Sequence, residues 1–174
     1  MPLRVVDTFY SELPFTLDSE ADLVLVVCSD WRFSDDGGQG QHMPVPDGHL
    51  QRFEKRLQGQ GLRHIDHEEF PGGPGAFIDD ESANVTHRWT QLLTGLHGLR
   101  EVFLLSHGDC GAYKARYPGK TAEDLLEIQQ GDLIEVREQL ERAFAAAGHE
   151  VKVRIGMALP RHDGREDVIF VEYE

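Results

Sequence analysis

A chain of 174 residues is the length of one domain, and 40% hydrophobic residues are enough to bury a core. A formal net charge of -14, from 31 acidic against 17 basic side chains, disfavours DNA, RNA and anionic membrane surfaces as partners. No run approaches the roughly 20 apolar residues that span a bilayer, and Met1-Pro2-Leu3-Arg4 is not followed by a signal-like apolar core. A soluble, cytoplasmic protein with neither nucleic-acid nor membrane partners is therefore expected.

Residues 1–20 scatter Val5, Val6, Phe9, Tyr10, Leu13 and Phe15 around Pro14, which interrupts any helix. They read as an N-terminal arm covering its own domain or a neighbouring subunit, with residues 21–174 forming a single domain. Leu23 to Val27 is a continuous, valine-rich apolar run of strand length, the pattern of a parallel strand buried on both faces. After Arg32 the chain turns polar and glycine-rich up to His42, a loop able to act as a lid. Asp47 offers an N-cap for a short amphipathic helix carrying Leu50, Phe53 and Leu57. A second strand is expected within Leu62 to Phe70, where His64 and His67 fall on opposite faces and read as ordinary polar surface residues. Pro71 to Ala76 reads as a tight turn whose glycines allow close approach of backbone to a ligand.

Asp79 or Asp80 can cap a helix bearing Val85, Trp89, Leu92, Leu93 and Leu96, and a third strand is expected from Glu101 to Leu105. Thr121 to Asp124 matches a capping pattern, and Asp132 with Glu135 matches another directly after Gly131, which predicts a helical pair or one broken helix with Leu133, Val136, Leu140 and Phe144 as its buried stripe. Val151 to Ala158 reads as a fourth strand, Pro160 to Gly164 as a turn, and Asp167 to Tyr173 as a strand at the sheet edge. Strands alternating with helices predict an α/β domain with a mostly parallel central sheet flanked by helices. In such sheets, ligands bind beyond the carboxyl ends of the strands, where the connection direction reverses.

Both cysteines of the chain fall just after such strands: Cys28-Ser29-Asp30-Trp31-Arg32 follows the first, and Ser106-His107-Gly108-Asp109-Cys110-Gly111 follows the third. If these two strands are neighbours, the clusters meet at one crevice. Thiolate and imidazole suit Zn²⁺ in tetrahedral geometry, so Cys28, His107 and Cys110 are candidate ligands, with water or the Asp30 carboxylate in the fourth place. Zinc brings the pKa of bound water towards about 7, which makes a nucleophile for a carbonyl-like carbon. Asp30 and Arg32 are close enough for a bidentate ion pair. That pair makes Asp30 either an orienter of the attacking oxygen or an inhibitory ligand.

Cys28-x-Asp30-x-Arg32 together with His107-x-x-Cys110-Gly111 resembles the metal-binding signature of the β-class carbonic anhydrases, over roughly Leu23 to Ala158. The resemblance implies zinc, reversible hydration of carbon dioxide to bicarbonate by a lyase, and a homodimer or higher homo-oligomer. By matching position it implies Cys28, His107 and Cys110 as ligands and Asp30 and Arg32 as the catalytic pair. Trp31 stands where family members commonly carry Ser, and Phe70 to Ala76 replaces an Arg-Asn-Ala-Gly-like stretch. The reaction therefore depends on how Trp31, Gly72, Gly73, Gly75 and Gly111 shape the substrate pocket.

Three other readings use the same residues. Asp30 could permanently close the metal shell, leaving a catalytically silent zinc-binding protein. Relatives acting on carbonyl sulfide or carbon disulfide suggest hydrolysis of another small linear molecule. Cys110-x5-Arg116 fits the anion-holding spacing of phosphatase-like and sulfurtransferase-like enzymes, a reading that leaves Cys28 and His107 unexplained. His42, His49, His87, His97, His149 and His162 show no ligand spacing, although His42 and His49 could shuttle protons from the loop.

Overall fold

A strand buried on both faces must place apolar side chains at every position, and Leu23–Cys28 does so: all six residues of this strand, β1, are buried. Val24 and Val26 enter one core cluster, and Leu23, Leu25 and Val27 enter another on the opposite face of the sheet. The computed structural model describes residues 21–29, 49–62, 64–78, 98–160 and 168–174. The expected arm over residues 1–20, the glycine-rich loop, the Asp47 cap, the helix expected from Asp79 or Asp80 and residues 161–164 of the turn expected over Pro160 to Gly164 lie outside them, while Pro160 itself ends a strand.

In chain order the described elements are β1, helix α1 (His49–Gly59), strand β2 (Ile65–Phe70), a 3₁₀ turn (Gly73–Ile78), strand β3 (Glu101–His107), helices α2 (Gly111–Arg116) and α3 (Ala122–Ala146), and strands β4 (Lys152–Pro160) and β5 (Val168–Tyr173). The strands form one sheet in the order β2-β1-β3-β4-β5. The first four are parallel, and β5 runs antiparallel at the edge. The expected single-domain α/β architecture with a mostly parallel sheet is thus observed. So is the adjacency of the first and third core strands, paired from Leu23 opposite Glu101 to Val26 opposite Leu104.

Each sheet face has its own cover. The amphipathic spacing of Leu50, Phe53 and Leu57 turns one side of α1 onto Leu23, Leu25, Val27, Phe103 and Leu105. Leu133, Val136, Leu140 and Phe144 of α3 pack onto Val24, Val26, Val102, Leu104, Val153, Ile155 and Met157. Each such side chain removed from water contributes about 1.5–3 kcal/mol. Between β4 and β5 the backbone comes close at Gly156, where an added Cβ would lie 2.8 Å from the Val171 carbonyl oxygen and 2.9 Å from the Phe103 ring. Next to it Arg154 stacks over Phe103 and holds Glu172 and Glu101 at 2.8 and 3.2 Å. On the other side, His67 is less solvated than its surface reading implies: it pairs with Glu54 of α1 at 2.8 Å.

Two local expectations need correction. The Thr121 capping box forms as expected, its hydroxyl accepting from the Asp124 N–H at 3.1 Å and the Asp124 carboxylate from the Thr121 N–H at 3.0 Å. The second start signal, however, does not start a helix: α3 runs unbroken for 25 residues through Gly131. A helix-interior glycine costs about 1 kcal/mol, less than the burial of the stripe on either side provides. Asp132 meanwhile accepts a hydrogen bond from the Tyr113 hydroxyl at 2.6 Å instead of capping. Nor is Pro71 to Ala76 only a turn, because from Gly73 onward it is the start of the 3₁₀ turn, whose Gly73, Pro74, Gly75 and Phe77 are buried.

Gly131 is exposed, and an added methyl there would meet no atom outside its own helix. Gly131→Ala should raise the unfolding free energy by about 0.5–1 kcal/mol, whereas Leu133→Ala, two residues on, should lower it by about 2–5 kcal/mol; urea titration measures both. Arg154 also generates a pH prediction. Its hydrogen bond holds the Glu172 carboxyl below its ordinary value of 4.5, so the stabilisation is complete above that value and is lost as pH falls through the lower folded one. The stability gap between wild type and Arg154→Met should therefore narrow between about pH 7 and pH 3, and an unchanged gap would show that the ion pair does not contribute.

Candidate metal centre

Cys28 is the last residue of β1 and His107 the last of β3, so the parallel pairing of these strands delivers a thiol and an imidazole to the same end of the sheet. Cys110 returns to the same point by a short detour. The Gly108 N–H donates to the Ala158 carbonyl at 2.9 Å, continuing the β3–β4 ladder for one more bond. Asp109 then takes a left-handed conformation, φ 60°, which its short polar side chain tolerates better than most, and it pairs with Lys114. This reversal tucks Cys110 under the strand ends, directly before α2.

The three residues are 8%, 3% and 2% exposed, and their ligand atoms all lie within 4.8 Å of one another. The two Sγ atoms are 3.8 Å apart and are not joined as a disulfide. Two thiolates on one tetrahedral ion with bonds of about 2.3 Å would sit about 3.8 Å apart, so the sulfur spacing fits such an ion. Nδ1 of His107 lies 2.8 Å from the Gly108 carbonyl. A carbonyl only accepts, so Nδ1 carries the proton and the buried Nε2 keeps its lone pair for the cluster. A hydrogen bond from Cys28, the largest cause, brings the Cys110 thiol down to about 4 against the opposing effect of burial. A thiolate is the form that binds a metal. Cys28, His107 and Cys110 are therefore a group that could hold a metal ion.

Beneath the thiols lies an apolar floor of Tyr113, Leu125 and, partly buried, Ala112 and Ile128. The glycines expected to line a pocket pack tightly against it and against β1. A Cβ on Gly73 would be 3.1 Å from the Cys28 amide nitrogen, and one on Gly72 would touch Ala112 at 3.5 Å. Gly111 is exposed, with no atom near an added Cβ. A narrow cavity of about 10 Å³, room for roughly one water, reaches Cys28 and His107 between Val27, Leu50, Leu105, Ala158 and Phe170. A larger recess of about 750 Å³ opens beside Gly108 and Asp109, walled by Leu126, Leu159 and Pro160, and touches none of the three candidate ligands.

Asp30, Trp31 and Arg32 lie outside the described residues, as do His42, His87, His97 and His162. Arg116, the second member of the Cys-x5-Arg spacing, donates to the Gly75 carbonyl at 3.3 Å and stacks on Tyr117. His64 and His149 are exposed. Sequence reasoning missed two contributors. Gln129, 1% exposed, donates from Nε2 to the His107 carbonyl at 2.8 Å and to the Ser106 hydroxyl at 3.1 Å. Its signal was present: a polar residue four positions after Leu125 and four before Leu133, squarely in the apolar stripe. Tyr113, whose hydroxyl burial pushes up in pKa, left no comparable signal.

A Cβ on Gly75 would stand 1.9 Å from the Tyr113 hydroxyl oxygen and 2.6 Å from its ring. Gly75→Ala should therefore push Tyr113 off Asp132 and destabilise the protein by about 1–3 kcal/mol. In a Tyr113→Ala background most of that penalty should vanish. Equal penalties in the two backgrounds, measured by urea unfolding, would mean that the clash is taken up elsewhere.

By sequence the chain matches no family model, and no curated protein matches it either. Its fold, in contrast, has solved counterparts. The β-carbonic anhydrase CafA of the fungal pathogen Aspergillus fumigatus superposes with a TM-score of 0.54 at 11% identity, over 90% of this chain and 76% of that one. CafD of the same fungus gives 0.45 at 12% identity, over 85% and 89% of the two chains. One of two tetrameric β-carbonic anhydrases of Sordaria macrospora gives 0.43 at 11% identity, over 89% and 84%. The likeness to CafA establishes that this chain has the fold of a β-carbonic anhydrase, as its two sequence motifs led us to expect.

Proposed function

We propose that this chain is a divergent β-class carbonic anhydrase that binds Zn²⁺ through Cys28, His107 and Cys110 and hydrates carbon dioxide to bicarbonate. The observation that carries the proposal is the convergence of two thiols and one imidazole within 4.8 Å, at the carboxyl ends of two adjacent parallel strands. When bound, the ion supplies the Lewis acidity that makes water a competent nucleophile near neutral pH. The residues of the chain do the rest. Cys28 and Cys110 hold the ion as thiolates, and His107 presents Nε2 while its Nδ1–H stays with the Gly108 carbonyl.

Asp30, fixed by a bidentate pair with Arg32, accepts a hydrogen bond from the attacking oxygen and turns a lone pair of that oxygen toward the carbon of the substrate. Gly72, Gly73 and Gly75 support the site by close packing against Ala112, the Cys28 backbone and Tyr113, while Trp31 and Gly111 are the proposed surroundings of the substrate. The narrow cavity that reaches Cys28 and His107 is walled mostly by apolar side chains, in keeping with a substrate without charge. The reaction takes carbon dioxide and water to bicarbonate and one proton, which leaves to solvent. The protein works in the cytoplasm, as its sequence led us to expect, and as a homodimer or larger homo-oligomer, as the resemblance to this class implies.

Elemental analysis of protein purified without added metal should find close to one zinc per chain, and Cys28→Ser or His107→Ala should lose most of it. Stopped-flow hydration of carbon dioxide should exceed the uncatalysed rate, and Asp30→Asn should cost about 10²-fold or more with zinc content unchanged. Zinc at full occupancy without hydration at pH 7 or above pH 8.5 would retain the metal site and sink the reaction. Phosphatase activity that survives chelation would instead favour the use of Cys110 and Arg116 on an anion.

A further inference from the structure

Among the described residues the buried polar side chains are Ser106, His107 and Gln129, and they form one connected group. A buried amide in an apolar stripe is costly unless its hydrogen bonds are made. Here the donors go to two consecutive residues at the end of β3. The His107 carbonyl can only accept, so the amide nitrogen must face it, and the orientation of Gln129 is determined by its partner. The contact at 2.8 Å is the shorter of the two.

This end of β3 is where the regular ladder runs out. His107 is opposite Ala158, Gly108 makes one further bond to the Ala158 carbonyl, and the left-handed Asp109 then turns the chain away. The amide of a side chain on α3 holds the His107 carbonyl just before that turn. The imbalance is informative: the ring of His107 is held by its neighbour's carbonyl at 2.8 Å, while its backbone is held by a helix on another layer of the fold.

We propose that Gln129 is a positioning residue for the metal cluster. By fixing the backbone of His107 it sets the distance and direction from which Nε2 approaches the two thiols, and so governs how tightly the ion is retained. This inference rests on the reading of Cys28, His107 and Cys110 as a zinc site. Residues that orient a metal ligand from behind typically change affinity by about 10–100-fold when removed. Gln129 does so through the main chain of the ligand and not through its ring.

The test compares wild type, Gln129→Leu and Leu133→Ala, each loaded with Zn²⁺ and mixed with an excess of a chromogenic chelator. Leu133 lies one turn further along the same buried stripe, is not among the residues packed under the thiols, and controls for general loosening of α3. Gln129→Leu should release zinc about 10–100-fold faster than wild type, and Leu133→Ala should release it close to the wild-type rate even though it is destabilised. In the Co²⁺-substituted proteins the visible absorption band should shift in Gln129→Leu and stay in place in Leu133→Ala. If Gln129→Leu does not fold, Gln129→Asn, which withdraws the amide by one methylene, carries the same expectation. Equal release rates and unshifted bands in the Gln129 variant overturn the positioning role while leaving the metal site intact. A wild type that takes up neither ion overturns the metal reading, and the role of Gln129 with it.

Discussion

The pairing of β1 with β3 is the constraint on which the rest of this structure depends. Leu23 to Val26 lie opposite Glu101 to Leu104 in parallel register, and that register alone decides that Cys28 and His107 emerge at the same end of the sheet. A slip of one residue would send each side chain of β1 to the opposite face. It is opposed because the two faces pack against different partners: Val24 and Val26 fit under α3, and Leu23, Leu25 and Val27 fit under α1. The burial that stabilises the sheet is therefore also what aims the candidate ligands.

Burial of two thiols has two physical outcomes. In a purely apolar setting a cysteine is a small inert hydrophobe. In the setting found here, hydrogen bonding from Cys28 outweighs desolvation and favours the ionised form of Cys110. A carbonyl on the far side of His107 keeps the proton on Nδ1. Thiolate, thiol and lone pair converge over a hydrophobic floor that excludes water, a combination suited to a cation that prefers soft ligands. The apolar floor and the polar cluster are parts of one arrangement, since Cys28 and Cys110 belong to both.

Much of this was legible in the sequence because it rests on local patterns. Unbroken apolar runs marked β1 and β3, and the residues directly after them carried the cysteines and the histidine. The 3.6-residue periodicity of Leu133, Val136, Leu140 and Phe144 marked the buried face of α3. What was not legible depends on partners distant in sequence. The second capping pattern at Asp132 is a valid local signal, but Tyr113, 19 residues earlier, claims that carboxylate. Glycines 73 and 75 suggest space for a ligand, yet the space they leave is taken by the Cys28 backbone and the Tyr113 ring. Gln129 escaped notice because its acceptors lie 22 and 23 residues away, beyond the reach of any local pattern.

The unbroken course of α3 has a consequence for how this protein can diverge. Leu125 and Ile128 support the thiols, Gln129 reaches the end of β3 and Asp132 holds Tyr113, all within about two turns of one rod. Further along the same rod, Leu140 and Phe144 anchor it to the sheet. A substitution that rotates or shifts the far end of the helix is thus felt at the near end, where Gln129 and Asp132 make their hydrogen bonds. Drift is free on the outward face, at positions such as Glu127, Gly131 and Glu138, and is constrained along the entire inward one. The short segment that frames the cysteines is in this way held from one side of a single helix.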